Sequence, residues 1–201
     1  AERDAIRGLE QTRPVEATSP AAACAEFHML LGQRDLKMGV LTLKSLLRFD
    51  GLPVAVTLTS DGSLTPDDRA YVDEHVQHVR WLDWPLNDDP RIEAALRGRP
   101  ELHALYHSDY CPAAKLLHPL LLSRCERVVL CDADTAFFKR PQTLIDFCAG
   151  RADQQPHYMH DHQDEAQAVP AEVATAFEQA HAQIGRGQWR QTVGIEHLDA
   201  Q

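Results

Sequence analysis

The stretch Val128-Val129-Leu130-Cys131-Asp132-Ala133-Asp134-Thr135 constrains the fold more than any other, because a short apolar run ends abruptly in two carboxylates separated by one small residue. Consecutive apolar residues, preceded by Glu126 and Arg127, predict a central strand of a parallel sheet covered on both faces. Ligands of such sheets gather at the carboxyl ends of the strands. In extended chain, residues i and i+2 point the same way, roughly 7 Å apart at about 3.3 Å of rise per residue. Asp132 and Asp134 can therefore reach one hard cation, directly or through water. Magnesium or manganese prefers carboxylate oxygens and keeps open positions for water or substrate phosphates. The competing reading is a strand end followed by an Asp-rich turn, with Asp134 capping the next segment.

The upstream chain alternates strand and helix. Phe27 to Gly32 predicts a buried strand ending at a glycine, and Asp35 is placed to cap a helix from about Leu36 to Phe49, with Leu36, Val40, Leu43 and Leu47 on one face. Val54 to Leu58 predicts a second strand, followed by Asp61 in a Ser-Asp-Gly-Ser turn. Thr65-Pro66-Asp67-Asp68 is a helix start, and His78 to Leu82 a third strand. Residues 83–112 read as a proline-rich surface excursion with a short helix from Pro90 to Leu96. Pro112 opens a helix before the Val128 strand, which Pro119 is expected to kink. Further on, the pattern predicts a helix over 142–148, another over 170–184 and a last strand over 192–198. Parallel βαβ units follow from this alternation.

The 201 residues suit one α/β domain, and 44% hydrophobic residues suffice for a sizeable core. Residues 1–24 are expected to form an N-terminal helix and linker, and 25–201 the domain. A formal net charge of −10 argues against nucleic-acid binding, which needs a basic surface. The five cysteines are odd in number, widely spaced and without a CxxC pair, as expected of reduced thiols in a cytoplasmic protein. No apolar stretch is long enough for a transmembrane segment.

The segments FHMLLGQRD, KSLLRF, VTLTSDGSLT, AAKLLHPLLLSRCERVVLCDADT and TVGIEHLDA together resemble nucleotide-sugar glycosyltransferases of the GT-A fold, especially the group containing glycogenin and bacterial galactosyltransferases. The resemblance runs from about Phe27 onward and is most specific over Lys115 to Thr135. It implies a Rossmann-like α/β fold with a mostly parallel central sheet and flanking helices. It implies that Asp132 and Asp134, with Ala133 between them, hold Mn2+ or Mg2+ on the diphosphate of a nucleotide-sugar donor, a UDP-sugar being expected. Leu31, Gly32 and Gln33 match the first-strand exit that cradles the base, and Lys115 a basic residue beside the diphosphate. An ammonium beside a metal-held diphosphate also makes independent physical sense in an acidic protein. The acceptor, whether sugar, lipid or protein, is not specified, and a homodimer stays open.

The pattern departs from that family where Thr192-Val193-Gly194 stands in place of Asn-x-Gly, and where a further metal-binding histidine would follow beyond Gln201. The expectation is therefore a domain lacking the acceptor-binding part, either a portion of a longer enzyme or a shortened, inactive relative. Asp61 has two readings, a contact to ribose or base and a plain turn residue, the second favoured. His157, His160 and His162 beside Asp161, Asp164 and Glu165 form a histidine-rich loop whose spacing fits no zinc pattern. Trp81 and Trp84 are expected to anchor their loop to the core. Two rival functions remain: a haloacid-dehalogenase-type phosphatase with Asp132 as nucleophile, and a non-catalytic nucleotide-sugar-binding module.

Overall fold

The computed structural model describes residues 8, 11–86 and 89–151, together with the backbone of 191–193. Strand β1 (Val15–Glu16) is followed by β2 (Ala25–Leu31), a short 3-10 turn and helix α1 (Leu36–Leu47). Next come β3 (Val54–Ser60), α2 (Pro66–His75), β4 (Val76–Gln77) and β5 (Val79–Asp83). Three helices then precede the fourth long-sheet strand: α3 (Pro90–Leu96), α4 (Pro100–Tyr106) and α5 (Pro112–Leu122). The described chain ends with β6 (Arg127–Leu130), α6 (Gln142–Cys148) and β7 (Gln191–Val193).

The central sheet has five strands in the spatial order β5-β3-β2-β6-β7, all parallel. Numbered by their order in the chain these strands read 3-2-1-4-5, the order of a Rossmann-like open sheet. One sheet face is apolar. Phe27, Met29 and Leu31 alternate with the other residues of β2 and, with Val54, Val56 and Leu58 of β3, pack against Leu36, Val40, Leu43 and Leu46 of α1. Gly39 lets α1 approach, since a Cβ there would overlap the side chain of Leu31. Val72 of α2 and Leu144, Ile145 and Phe147 of α6 complete this core.

The opposite face is polar although equally buried. Glu26 and His28 of β2, Thr57 and Thr59 of β3 and His118 of α5 all lie below 5% exposure. Glu26 organises it: one carboxylate oxygen accepts from the Thr57 hydroxyl and from Arg80 at 3.3 Å, the other from the Ser123 hydroxyl at 2.9 Å and the Arg124 amide. Burial pushes this carboxyl up, but His28, Thr57 and the Arg124 amide outweigh it and hold it well below the usual range. A second apolar cluster of Leu82, Ile92, Leu96, Tyr106 and Leu122 gathers α3, α4 and α5 beyond this polar stripe.

Several elements differ from the sequence expectations. Residues 11–24 are not merely a linker: Val15 and Glu16 pair in parallel with Val76 and Gln77, and Ala17 is buried. A two-residue ladder is too short to leave a hydrophobic period. Asp35 occupies the start of α1 but makes no capping bond with its side chain, because the preceding 3-10 turn already occupies the chain there. By contrast Thr65 and Asp68 form a reciprocal capping box on α2. The excursion between β5 and α5 contains a second helix, α4, and α5 continues through Pro119. Trp81 and Trp84 both pack against the apolar clusters. The expected helix over 170–184, the histidine loop at 157–162, Gly194 and the end of the last strand lie outside the described residues.

Candidate functional site at the carboxyl edge of the sheet

From β2 the chain moves outward through β3 to β5 and then crosses back to place β6 on the other side of β2. At that reversal the connections leaving β2 and β6 diverge, and the carboxyl ends beside such a switch point are where open α/β sheets bind ligands. The sheet order therefore brings Leu31, Gly32 and Gln33, which leave β2, to the same edge as Asp132, Ala133 and Asp134, which leave β6.

The β6 side is built by α1. The strand ends at Leu130, and the Cys131 amide donates to the His28 carbonyl at 3.1 Å before the chain turns at Ala133 and Asp134. The acid pair thus lies in the turn after the strand rather than on its extension. Ala133 is buried at 9% exposure in the α1 core, while Asp132 and Asp134 on either side are exposed. The Thr42 hydroxyl of α1 lies within hydrogen-bonding distance of the carbonyls of Ala133, at 2.8 Å, and Thr135. Ser45 accepts from the Phe137 amide at 2.9 Å. One helix therefore fixes the backbone that presents both carboxylates. Burial pushes the neighbouring Cys131 thiol up to about 11, so it stays protonated at neutral pH.

Lys115 faces this turn. Its ammonium donates to Asp132 Oδ1, and both side chains remain substantially exposed. This contact fixes the first turn of α5 at the carboxyl edge. A lysine in the first turn opposes the helix macrodipole, and no acid stands there to offset it. Two carboxylates against one ammonium leave the turn locally negative; a bound divalent cation would reverse that sign.

At the β2 exit the packing is tight. A Cβ on Gly32 would overlap the Asp61 carboxylate from the end of β3. Asp61 is engaged in its own turn, its Oδ1 accepting from the Ser63 amide at 2.9 Å and hydroxyl at 2.6 Å. The Gln33 amide donates to the Ser63 hydroxyl at 2.8 Å, and the Gln33 side chain to Asp68 at 3.2 Å. Burial first, and the charge of the Asp61 carboxylate next, push the Cys111 thiol up. Gly32, Gln33, Asp61, Lys115, Asp132 and Asp134 thus share one edge. Leu31 differs: it is fully buried, and only its backbone reaches this edge.

Other titratable groups come together where the sequence gave no motif. His118 bonds Thr59 through Nδ1 at 3.2 Å and the Tyr106 hydroxyl through Nε2 at 2.8 Å. Burial lowers its pKa to about 4. Glu93, His103 and His107 converge on the α3–α4 excursion; the only sequence signal was two histidines four apart in a stretch read as surface loop.

No family model and no curated protein matches the chain. What fold and site define is an α/β domain with a parallel, Rossmann-like sheet and charged side chains at the carboxyl edge of its switch point. No helix among the described residues is long and apolar enough to cross a membrane.

Proposed function

We propose that the chain is a GT-A-type glycosyltransferase domain that binds a nucleoside-diphosphate sugar, a UDP-sugar in the first instance, at the β2/β6 switch point. The observation that carries this reading is the Lys115 ammonium on the Asp132 carboxylate at the switch point. Asp132 and Asp134 offer hard, exposed oxygens suited to Mn2+ or Mg2+, and that donor set fits a cation which keeps open positions for phosphate. When bound, the cation stabilises negative charge on the departing diphosphate. Lys115 binds a phosphate oxygen from the other side, its exposed side chain being free to exchange Asp132 for the ligand. The backbone of Leu31, Gly32 and Gln33 lines the edge next to the nucleoside, and Gly32 keeps Asp61 close to it. A cytoplasmic location belongs to the same reading, supported by Cys24, Cys111, Cys125, Cys131 and Cys148 all being free thiols.

The test is donor turnover. The chain is incubated with UDP-glucose, UDP-galactose and the corresponding GDP-sugars, with Mn2+ or with chelator, and nucleoside diphosphate release is followed. Metal-dependent release that Asp134→Asn abolishes supports the reading. Trapping of beryllium fluoride on Asp132 with phosphate-ester hydrolysis would replace it by the phosphatase. Metal-dependent binding without turnover would reduce it to a binding module.

A further inference from the structure

We propose that Glu93, His103 and His107 form a binding site for a divalent transition-metal ion, zinc in the first instance, separate from the Asp132/Asp134 turn. Glu93 lies on α3, His103 on α4, and His107 is the residue that ends α4. Residues four apart on a helix share a face, and here the two imidazole rings lie 4.4 Å apart between centroids. Both Nε2 atoms address the same carboxylate, His103 at 3.3 Å from Oε2 and His107 at 3.0 Å from Oε1. One ligand atom from each of the three side chains lies within 4.8 Å of the other two. Tetrahedral zinc with bonds of about 2.0–2.1 Å sets ligand atoms roughly 3.3 Å apart. The two histidine–carboxylate distances already match that spacing, and drawing all three ligand atoms together from within 4.8 Å needs only side-chain rotations of exposed or half-buried groups.

The donor chemistry separates this site from the switch point. Two imidazoles and one carboxylate select zinc, cobalt or nickel over magnesium, whereas the paired aspartates offer only hard oxygens. Three protein ligands leave a fourth position for water. The ion would also staple α3 to α4. That matters to the domain because Tyr106, the neighbour of His107, is fully buried and bonds His118, which in turn meets Thr59 near the end of β3. A bare ion pair would suit one histidine; two histidines directing the same nitrogen at one carboxylate suit a shared cation.

Metal-free protein is titrated with Zn2+ and with Co2+, whose tetrahedral complexes absorb visibly. The expected result is one high-affinity zinc per chain, visible cobalt bands, and a rise in melting temperature on adding zinc. Replacing His107 by Ala, or Glu93 by Gln, should weaken zinc by at least about tenfold, the least that even an indirect ligand contact costs. Asp132→Asn should leave zinc affinity unchanged. Absence of visible cobalt bands in the native chain overturns the proposal, as does zinc binding that survives His103→Ala combined with His107→Ala. The three side chains are exposed or half-buried, and circular dichroism of each variant verifies the fold.

Discussion

Ala133 accounts for the spacing of the acids: its methyl group is buried against α1 while the carboxylates on either side stay in solvent. The pair Lys115–Asp132 is exposed, and such pairs contribute about 0–1 kcal/mol. Asp132→Asn should therefore cost under about 1 kcal/mol in chemical denaturation while removing metal-dependent nucleotide binding. A larger loss would make the acid a structural residue. Gly32 carries a different demand, since its φ of −115° suits any residue and only Asp61 forbids a side chain. Gly32→Ala should displace Asp61 from the two bonds donated by Ser63, each contributing roughly 1 kcal/mol. In an Asp61→Ala background most of that cost should vanish, which a double-mutant cycle on stability measures. The chemical type of these residues was legible in the sequence, but the mutual approach of Gly32 and Asp61 was not, since it depends on how β2 and β3 pair.

At the scale of elements, the polar sheet face beneath α5 sets the pH behaviour. His118 is held neutral, its pKa lowered from 6.5 to about 4 by burial. The unfolded chain thus takes up the proton first, so stability is complete above about pH 6.5 and falls as pH drops toward 4, by an order of magnitude of 3 kcal/mol. Replacing His118 by Gln should flatten that limb in denaturant titrations across this range. Glu26 acts in a lower window: its depressed pKa gives stability present above the ordinary 4.5 and lost as pH falls below it. Glu26→Ala would strand Arg80 under α5, a change that costs about 3–5 kcal/mol when a buried pair is broken, readable from the denaturation midpoint. Helices α1, α2 and α6 were legible because apolar spacing, a capping box or a flanking proline marks them. The polar stripe was hidden: Glu26 and His28 alternate with Ala25, Phe27 and Met29, and neither periodicity nor composition tells a buried polar face from a solvated one. Helix α4 was not expected because its seven residues begin at the proline of a Gly-Arg-Pro stretch that reads as loop.

For the whole molecule, the position of the switch point follows from strand order, and the alternation of strand and helix predicted a parallel sheet without its register. On the proposed function, a chain of net charge −10 receives a diphosphate only after a cation reverses the sign of the Asp132/Asp134 turn. Calorimetric titration with UDP, with Mn2+ and with chelator, tests it most directly. The expected result is binding that needs Mn2+ and that disappears in Asp134→Asn while the melting temperature stays within a few degrees of the native chain. UDP binding of equal strength in chelator, or Mn2+-dependent binding unchanged by Asp134→Asn, would contradict it.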